Sequence, residues 1–252
     1  MPRYARQKSE SGIYHIMLRG INKQVIFKDD EDRERFTETI LYFKPTSQFE
    51  LFGYCLMGNH IHLLLKEVVE PVSMIIKRIS GSFVYWYNRK YERCGHLFQE
   101  RFKSEAVDND AYFLTVLRYI HQNPVKAGLS RNIEGYKWSS AKDYLKAPAA
   151  ADTYYALGMF ASDRADAVKL LIKYMNEDTE DKCLENDEMY RMKDPELELY
   201  LARFGLTDPN ELKHLEKSRR NEVLRTLKEL NGVTIRQLSR ITGISKSVIG
   251  RI

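Results

Sequence analysis

The segment that most constrains the fold is an apolar run broken by two histidines, Gly58-Asn59-His60-Ile61-His62-Leu63-Leu64-Leu65-Lys66. Its length and apolar character predict a buried strand, whose period of two sends His60 and His62 to one face and Ile61 and Leu63 to the other. Neutral imidazole is the commonest side-chain metal ligand. Two imidazoles converging in a segment otherwise made for burial therefore point to a metal site. A pair of satisfied histidines on a half-buried strand is the bland alternative.

A chain of 252 residues is long enough for a sizeable core and for more than one folded unit. No apolar run approaches the roughly 20 residues needed to cross a bilayer, and Met1-Pro2-Arg3 is not followed by the apolar core of a signal peptide. A cytoplasmic protein with no membrane partner is expected. Cys55, Cys94 and Cys183 are odd in number and widely spaced, which fits neither a disulfide framework nor a cysteine zinc site. The net charge of +5 is unevenly spread: +6 over residues 1–150, −7 over 151–200 and +6 over 201–252. Two basic blocks around an acidic one suit a polyanionic partner.

Residues 12–19 read as a first strand, followed by a turn at Gly20-Ile21-Asn22-Lys23 with donors for phosphate. A helix is predicted from Asp29, with acidic residues in its first turn, a Phe36, Ile40 and Phe43 stripe, and Pro45 just past its end. A strand from about Glu50 to Met57 then turns through Gly58-Asn59 into the His60 strand, an antiparallel hairpin. Pro71 can open a second helix with Ile75, Ile79 and Phe83 on its core face. Its other faces carry Lys77, Arg78, Trp86, Tyr87, Arg89 and Lys90, a mixture of cations and aromatics that suits single-stranded nucleic acid.

Residues 96–107 read as a further strand or hairpin, and Asn109 or Asp110 caps a third helix that stops near Pro124. On that helix Tyr119 and Asn123 are four apart and share a flank, about 5–6 Å between their Cβ atoms. Tyr112 shares the same flank, and His121 is expected at the surface. The predicted fold class is α+β: a ferredoxin-like split βαβ antiparallel sheet with helices on one face, followed by an all-α C-terminal region.

Five segments in this order resemble the single-tyrosine HUH transposases, and among them the REP-associated tyrosine transposases: Arg19-Gly20-Ile21-Asn22 with Phe27; His60-Ile61-His62; the 95–104 stretch around Gln99, Arg101 and Lys103; Tyr119-Ile-His-Gln-Asn123-Pro; and Tyr136-Lys-Trp138 through Tyr144. The resemblance implies that His60, His62 and Asn123 bind Mg²⁺ or Mn²⁺. It also implies that Tyr119 attacks a DNA phosphodiester to leave a 5′-phosphotyrosine and a free 3′-hydroxyl. Such residues are needed because a phenol of pKa about 10 is mostly protonated near neutrality and meets a repelling anion. A cation on the phosphate offsets that charge. The partner implied is single-stranded DNA with hairpins, and Arg19, Lys23, Lys77, Arg78, Arg89, Lys90, Arg101 and Lys103 are candidate contacts. A monomer is the family's lean, with a homodimer as the alternative.

The resemblance covers about residues 8–146, within a predicted nuclease and transposase domain over 1–147. An acidic linker and helical spacer is expected over 148–200. The 201–252 region is expected to form a helical module whose Thr234–Ile252 stretch has the helix, glycine turn, helix order of a helix-turn-helix. Lys246 and Arg251 would face duplex DNA. The expected activity is metal-dependent single-strand cleavage and strand transfer. Two other readings remain: a non-catalytic DNA-binding regulator, or a metal-dependent phosphodiesterase that uses water.

Overall fold

A computed structural model describes residues 7–99, 101–146, 148–177, 179, 183–184, 194–206, 208–230 and 233–251. Glu100, Ile252, the first six residues and most of the acidic 178–193 stretch lie outside this set. The chain divides into two compact units, Met1–Leu184 and Glu185–Ile252.

The first unit runs β1 (Ile13–Arg19), α1 (Asp30–Ser47), β2 (Phe49–Leu56), β3 (His60–Glu67), α2 (Val72–Lys90), β4 (Lys103–Ala106), α3 (Asp110–Lys126), α4 (Ala141–Leu145), α5 (Tyr154–Gly158) and α6 (Arg164–Met175). Its four strands form one antiparallel sheet in the order β2-β3-β1-β4. The hairpin pair is adjacent and β1 lies in the middle, as a split βαβ arrangement requires.

The helices occupy both faces, not one as expected. Tyr14, Ile16, Leu18, Ile61, Leu63 and Leu65 pack with Phe36, Ile40, Ile75, Ile79 and Phe83 of α1 and α2. On the opposite face Ile13, Phe52, Cys55 and Leu64 pack with Phe113, Val116, Leu117 and Ile120 of α3. The physical cause lies in the strands: β1 and β3 are buried along nearly their whole length, so both of their faces need a cover.

Several boundaries also differ from expectation. Pro45 and Pro124 lie inside the last turns of α1 and α3 rather than beyond them. A proline near a helix end forfeits only one backbone bond, and α3 recovers a terminal one from Ala127 N–H to the Asn123 carbonyl (3.0 Å). The 96–107 stretch is extended only at β4. Before it, Gly20 and Phe98 make a single bridge.

The 148–177 region is no linker. Ala150 and Ala151 are buried, Lys44 donates to Asp152 (2.8 Å), and Asp152 accepts from Leu51 N–H (2.8 Å). Ala167, Leu171 and Met175 of α6 join the α3 core. Acidic composition marked the solvent side of this helix and hid its apolar stripe.

The second unit contains α7 (Asp194–Arg203), α8 (Lys217–Glu229), α9 (Ile235–Thr242) and α10 (Lys246–Arg251), with a short 3-10 turn at Pro209–His214. Leu197, Leu201, Leu212, Leu224, Leu227, Leu238 and Ile249 form its core. Thr234 caps α9 by accepting from Gln237 N–H (3.1 Å), and Gly243 ends it at φ 70°, a left-handed conformation that glycine adopts without strain.

Candidate active site

The site lies where the α3 face of β1 and β3 meets α3. Antiparallel pairing sets Arg19 opposite His60 and Met17 opposite His62, so His15, one pleat further along β1, is the diagonal neighbour of His62. The rings of His60 and His62 stand 5.0 Å apart between centroids, at 90° to each other. Above them α3 brings Tyr119, whose ring lies edge-on 5.6 Å from His62 and 5.8 Å from His15. One turn later, Asn123 donates from Nδ2 to the Tyr119 carbonyl (3.4 Å), and its carboxamide is also hydrogen-bonded to His60. Five side chains from three elements thus share one small volume.

Each imidazole is held at Nδ1. The Nδ1–H of His60 donates to Asn59 Oδ1 (2.7 Å), an oxygen that can only accept. His62 Nδ1 lies 3.0 Å from His15 Nε2. The Nε2 of His62 is buried and has no hydrogen-bond partner among the described residues. A buried polar nitrogen without a partner is costly unless something absent from a protein-only structure binds there. Burial, reinforced by the nearby Arg19 charge and opposed by the Asn123 hydrogen bond, pushes the His60 pKa down to about 4. Burial pushes His62 down too, with His15, His60 and Arg19 adding to the effect. Both rings are therefore neutral near pH 7, the state in which a histidine can bind a metal.

The residues present fit a divalent cation: two neutral imidazoles, one with an orphaned nitrogen, and a carboxamide. Among the described residues no group of three or more His, Cys, Asp or Glu is arranged to hold a metal. Any cation here would depend on Asn123, the phosphate or water for its remaining ligands.

Tyr112, the other tyrosine on that flank of α3, is tied down elsewhere. Burial, followed by its hydrogen bond to Glu105, pushes its phenol above the ordinary range, which makes it a poorer nucleophile. His121 corrects an expectation: it is 1% exposed rather than at the surface, and its Nε2 lies 2.8 Å from Ser140 Oγ. Glu67, at the end of β3, accepts from Val72 N–H (2.7 Å) and so holds the start of α2.

The basic residues fall into distinct settings. Lys77 and Arg101 line a groove of about 750 Å³ whose other walls include Leu18, Ile76, Val84, Phe98 and Phe102. Lys23, Arg89 and Lys103 are exposed, as are Lys246 and Arg251 in the second unit. Arg78 and Lys90 are already engaged. Arg78 is paired with Glu70 (2.7 Å), and Lys90 with Asp29 (2.8 Å), Glu31 (2.8 Å) and Asp32 (2.9 Å). Sequence reasoning missed His15 and Glu105. The alternation that places Arg19 beside the His pair puts His15 on the same face, and that parity was the available signal.

Residues 8–123 match the family described as "Transposase IS200 like", a family of enzymes that act on DNA. The chain is also similar to REP-associated tyrosine transposases. It is 26% identical over 161 residues, 58% of this chain and 89% of the relative, to a Haemophilus influenzae protein whose name provisionally assigns it to that type. A solved REP-associated tyrosine transposase bound to a REP hairpin superposes with a TM-score of 0.51 at 18% identity, covering 57% of this chain and 86% of the other, which is a likeness of fold.

Proposed function

We propose that the protein is a metal-dependent single-strand DNA endonuclease and strand transferase that acts on hairpin-containing DNA through Tyr119. The observation that carries this reading is the approach of the Tyr119 ring to within 5.6 Å of His62, whose Nε2 is buried and unpartnered. A tyrosine that merely packed would not need two neutral imidazoles and a carboxamide around it.

In this reading His60, His62 and Asn123 hold Mg²⁺ or Mn²⁺. When bound, that cation supplies charge neutralisation at the non-bridging phosphate oxygens. Arg19, opposite His60, adds a fixed positive charge on the same face. The Tyr119 oxygen attacks phosphorus as the bond to the 3′-oxygen breaks. The phenol gives up one proton and the departing 3′-oxygen takes one up, so the step needs no oxidant and no net acid. The phosphotyrosine keeps the energy of the phosphodiester, and a 3′-hydroxyl can later reverse the attack and release the phenol.

DNA recognition is assigned to exposed basic residues together with the partly buried Arg19. The groove between Lys77 and Arg101 offers cations at an apolar wall, the combination that binds unpaired bases and their phosphates. Arg19, Lys23, Arg89 and Lys103 complete the proposed set on the first unit. Lys246 and Arg251 at the helix-turn-helix-like end are assigned to duplex DNA. The protein acts in the cytoplasm, as a monomer.

The test is incubation with labelled single-stranded hairpin DNA and Mg²⁺ or Mn²⁺, resolved on a denaturing gel beside Tyr119→Phe and His60→Ala. A protein–DNA adduct that survives denaturant and is lost in both variants is expected. Cleavage without an adduct, unchanged in Tyr119→Phe, would replace this reading with hydrolysis by water. Binding without cleavage would replace it with a regulator.

A further inference from the structure

His15 is fully buried in the middle of β1, an expensive place for an imidazole that neither packs as an apolar group nor reaches water. Its two nitrogens face two different groups. Nε2 lies 3.0 Å from His62 Nδ1, and Nδ1 faces Glu105 Oε2 at 3.7 Å with no nearer partner. Glu105, on β4 directly opposite His15, is itself held in place. It accepts from the Leu184 backbone N–H (2.9 Å) and is hydrogen-bonded to the Tyr112 hydroxyl.

Two proton arrangements can join the two rings. If His62 carried its proton on Nε2, His15 Nε2–H would donate to His62 Nδ1. The lone pair of His15 Nδ1 would then face a carboxylate, acceptor against acceptor, and His62 would bury an unpaired N–H. In the other arrangement His15 Nδ1–H points at Glu105, and His15 Nε2 accepts from His62 Nδ1–H. That leaves the lone pair of His62 Nε2 uncommitted, on a ring that meets Tyr119. Only the second order turns an N–H rather than a lone pair toward the carboxylate, 3.7 Å away, and leaves no buried N–H on His62 unpaired.

We infer that Glu105 and His15 are positioning residues, a relay from a half-buried carboxylate through a buried imidazole that fixes His62 in its Nδ1–H tautomer and so presents Nε2 as a preformed cation ligand. This rests on the metal-binding reading of His60 and His62 above. Asn59 does the same for His60 with a single bond, but His62 is deeper and needs a two-residue chain to reach a carboxylate. Outer partners of this kind fix ring orientation and raise ligand basicity in metal sites generally.

The experiment uses the full chain, with ¹⁵N-labelled histidine and no metal for tautomer assignment by NMR, followed by titration with Mn²⁺ alone and separate measurement of metal-free hairpin DNA binding. Wild type is expected to show His62 protonated at Nδ1. The isosteric Glu105→Gln, whose amide can donate as well as accept, is expected to show mixed tautomers. Mn²⁺ affinity should fall about 10- to 100-fold in Glu105→Gln and His15→Phe, with metal-free hairpin binding unchanged. His62 protonated at Nε2 in the wild type, or Mn²⁺ affinity in both variants equal to wild type, would overturn the inference. If His15→Phe fails to fold, the wild-type tautomer and Glu105→Gln still decide it. Mn²⁺ binding as tight in His60→Ala as in wild type would overturn the metal reading instead, while the tautomer assignment would decide the relay independently.

Discussion

The ring of Tyr119 meets the ring of His62 edge-on, with planes 82° apart and centroids 5.6 Å apart. This contact joins a helix residue to a strand residue 57 positions earlier in the chain. It can hold only while α3 stays seated on the sheet.

Tyr119→Phe should abolish the covalent adduct and leave hairpin binding intact, because the ring and its packing remain. Tyr112→Phe should keep the adduct. It loses a hydrogen bond to Glu105, so a stability cost of about 1 kcal/mol is expected, read by denaturant unfolding. An adduct that survives in Tyr119→Phe and vanishes in Tyr112→Phe would reverse the assignment.

Removing divalent ions with a chelator should stop cleavage and leave hairpin binding measurable by gel shift. Restoring Mn²⁺ should bring cleavage back in wild type and not in His60→Ala. Cleavage that persists in the chelator would exclude a required cation.

Gly20 is expected to be intolerant of a side chain. A methyl group there would collide with the backbone carbonyl of Gln24 and with Ile26, and the Gly20 N–H donates to the carbonyl of Asn59 (2.9 Å), the residue that holds His60. Gly20→Ala should cost about 1–3 kcal/mol of stability. It should also weaken Mn²⁺ binding more than it weakens DNA binding. Calorimetric titration of both ligands separates the two effects.

Acid should destabilise the first unit before its carboxylates titrate. Burial holds His121 at about 3 when folded, against an ordinary 6.5. The unfolded chain therefore binds a proton that the folded chain refuses between those values, and stability falls as pH drops below 6.5. At pH 5 this one residue should cost about 2 kcal/mol. His121→Gln should flatten the pH dependence by that amount, read from urea unfolding at pH 7 and pH 5. An unchanged slope would mean that His121 titrates normally.

A chain cut after residue 147 should be far less stable than one ending at 184. Leu157, Ala167, Leu171 and Met175 would leave the α3 core, and each large apolar side chain exposed costs about 1.5–3 kcal/mol. Equal melting temperatures for the two fragments would restore the boundary that composition suggested.

Much of the site was legible because it obeys local periods. Period two aligned His60 with His62, and a four-residue spacing aligned Tyr119 with Asn123. The same rules fell short where the information was not local. Which face of the sheet α3 covers is decided by β1 and β3 being apolar on both sides, and a strand pattern says only that both sides need a cover. His121 looked like a surface residue because its partner, Ser140, arrives from a later segment. The 148–177 region looked like a spacer because charge drew attention to its wet side. The ion pairs of Arg78 with Glu70 and of Lys90 with Asp29, Glu31 and Asp32 could not be read from charge pattern, because a pattern does not say which carboxylate a cation meets. Glu105 needed the β1–β4 register, which no single segment contains.

The two-sided burial of β3 makes that strand a text written in two interleaved hands. Ile61, Leu63 and Leu65 belong to the α1 and α2 core, while His60, His62 and Leu64 face α3. Substitutions at odd positions should register as lost stability, and those at the histidines as lost chemistry in a folded protein. A one-residue slip would exchange the two sets, turning ligands inward and aliphatics toward the tyrosine. The strand can drift in composition, but it can hardly drift in length.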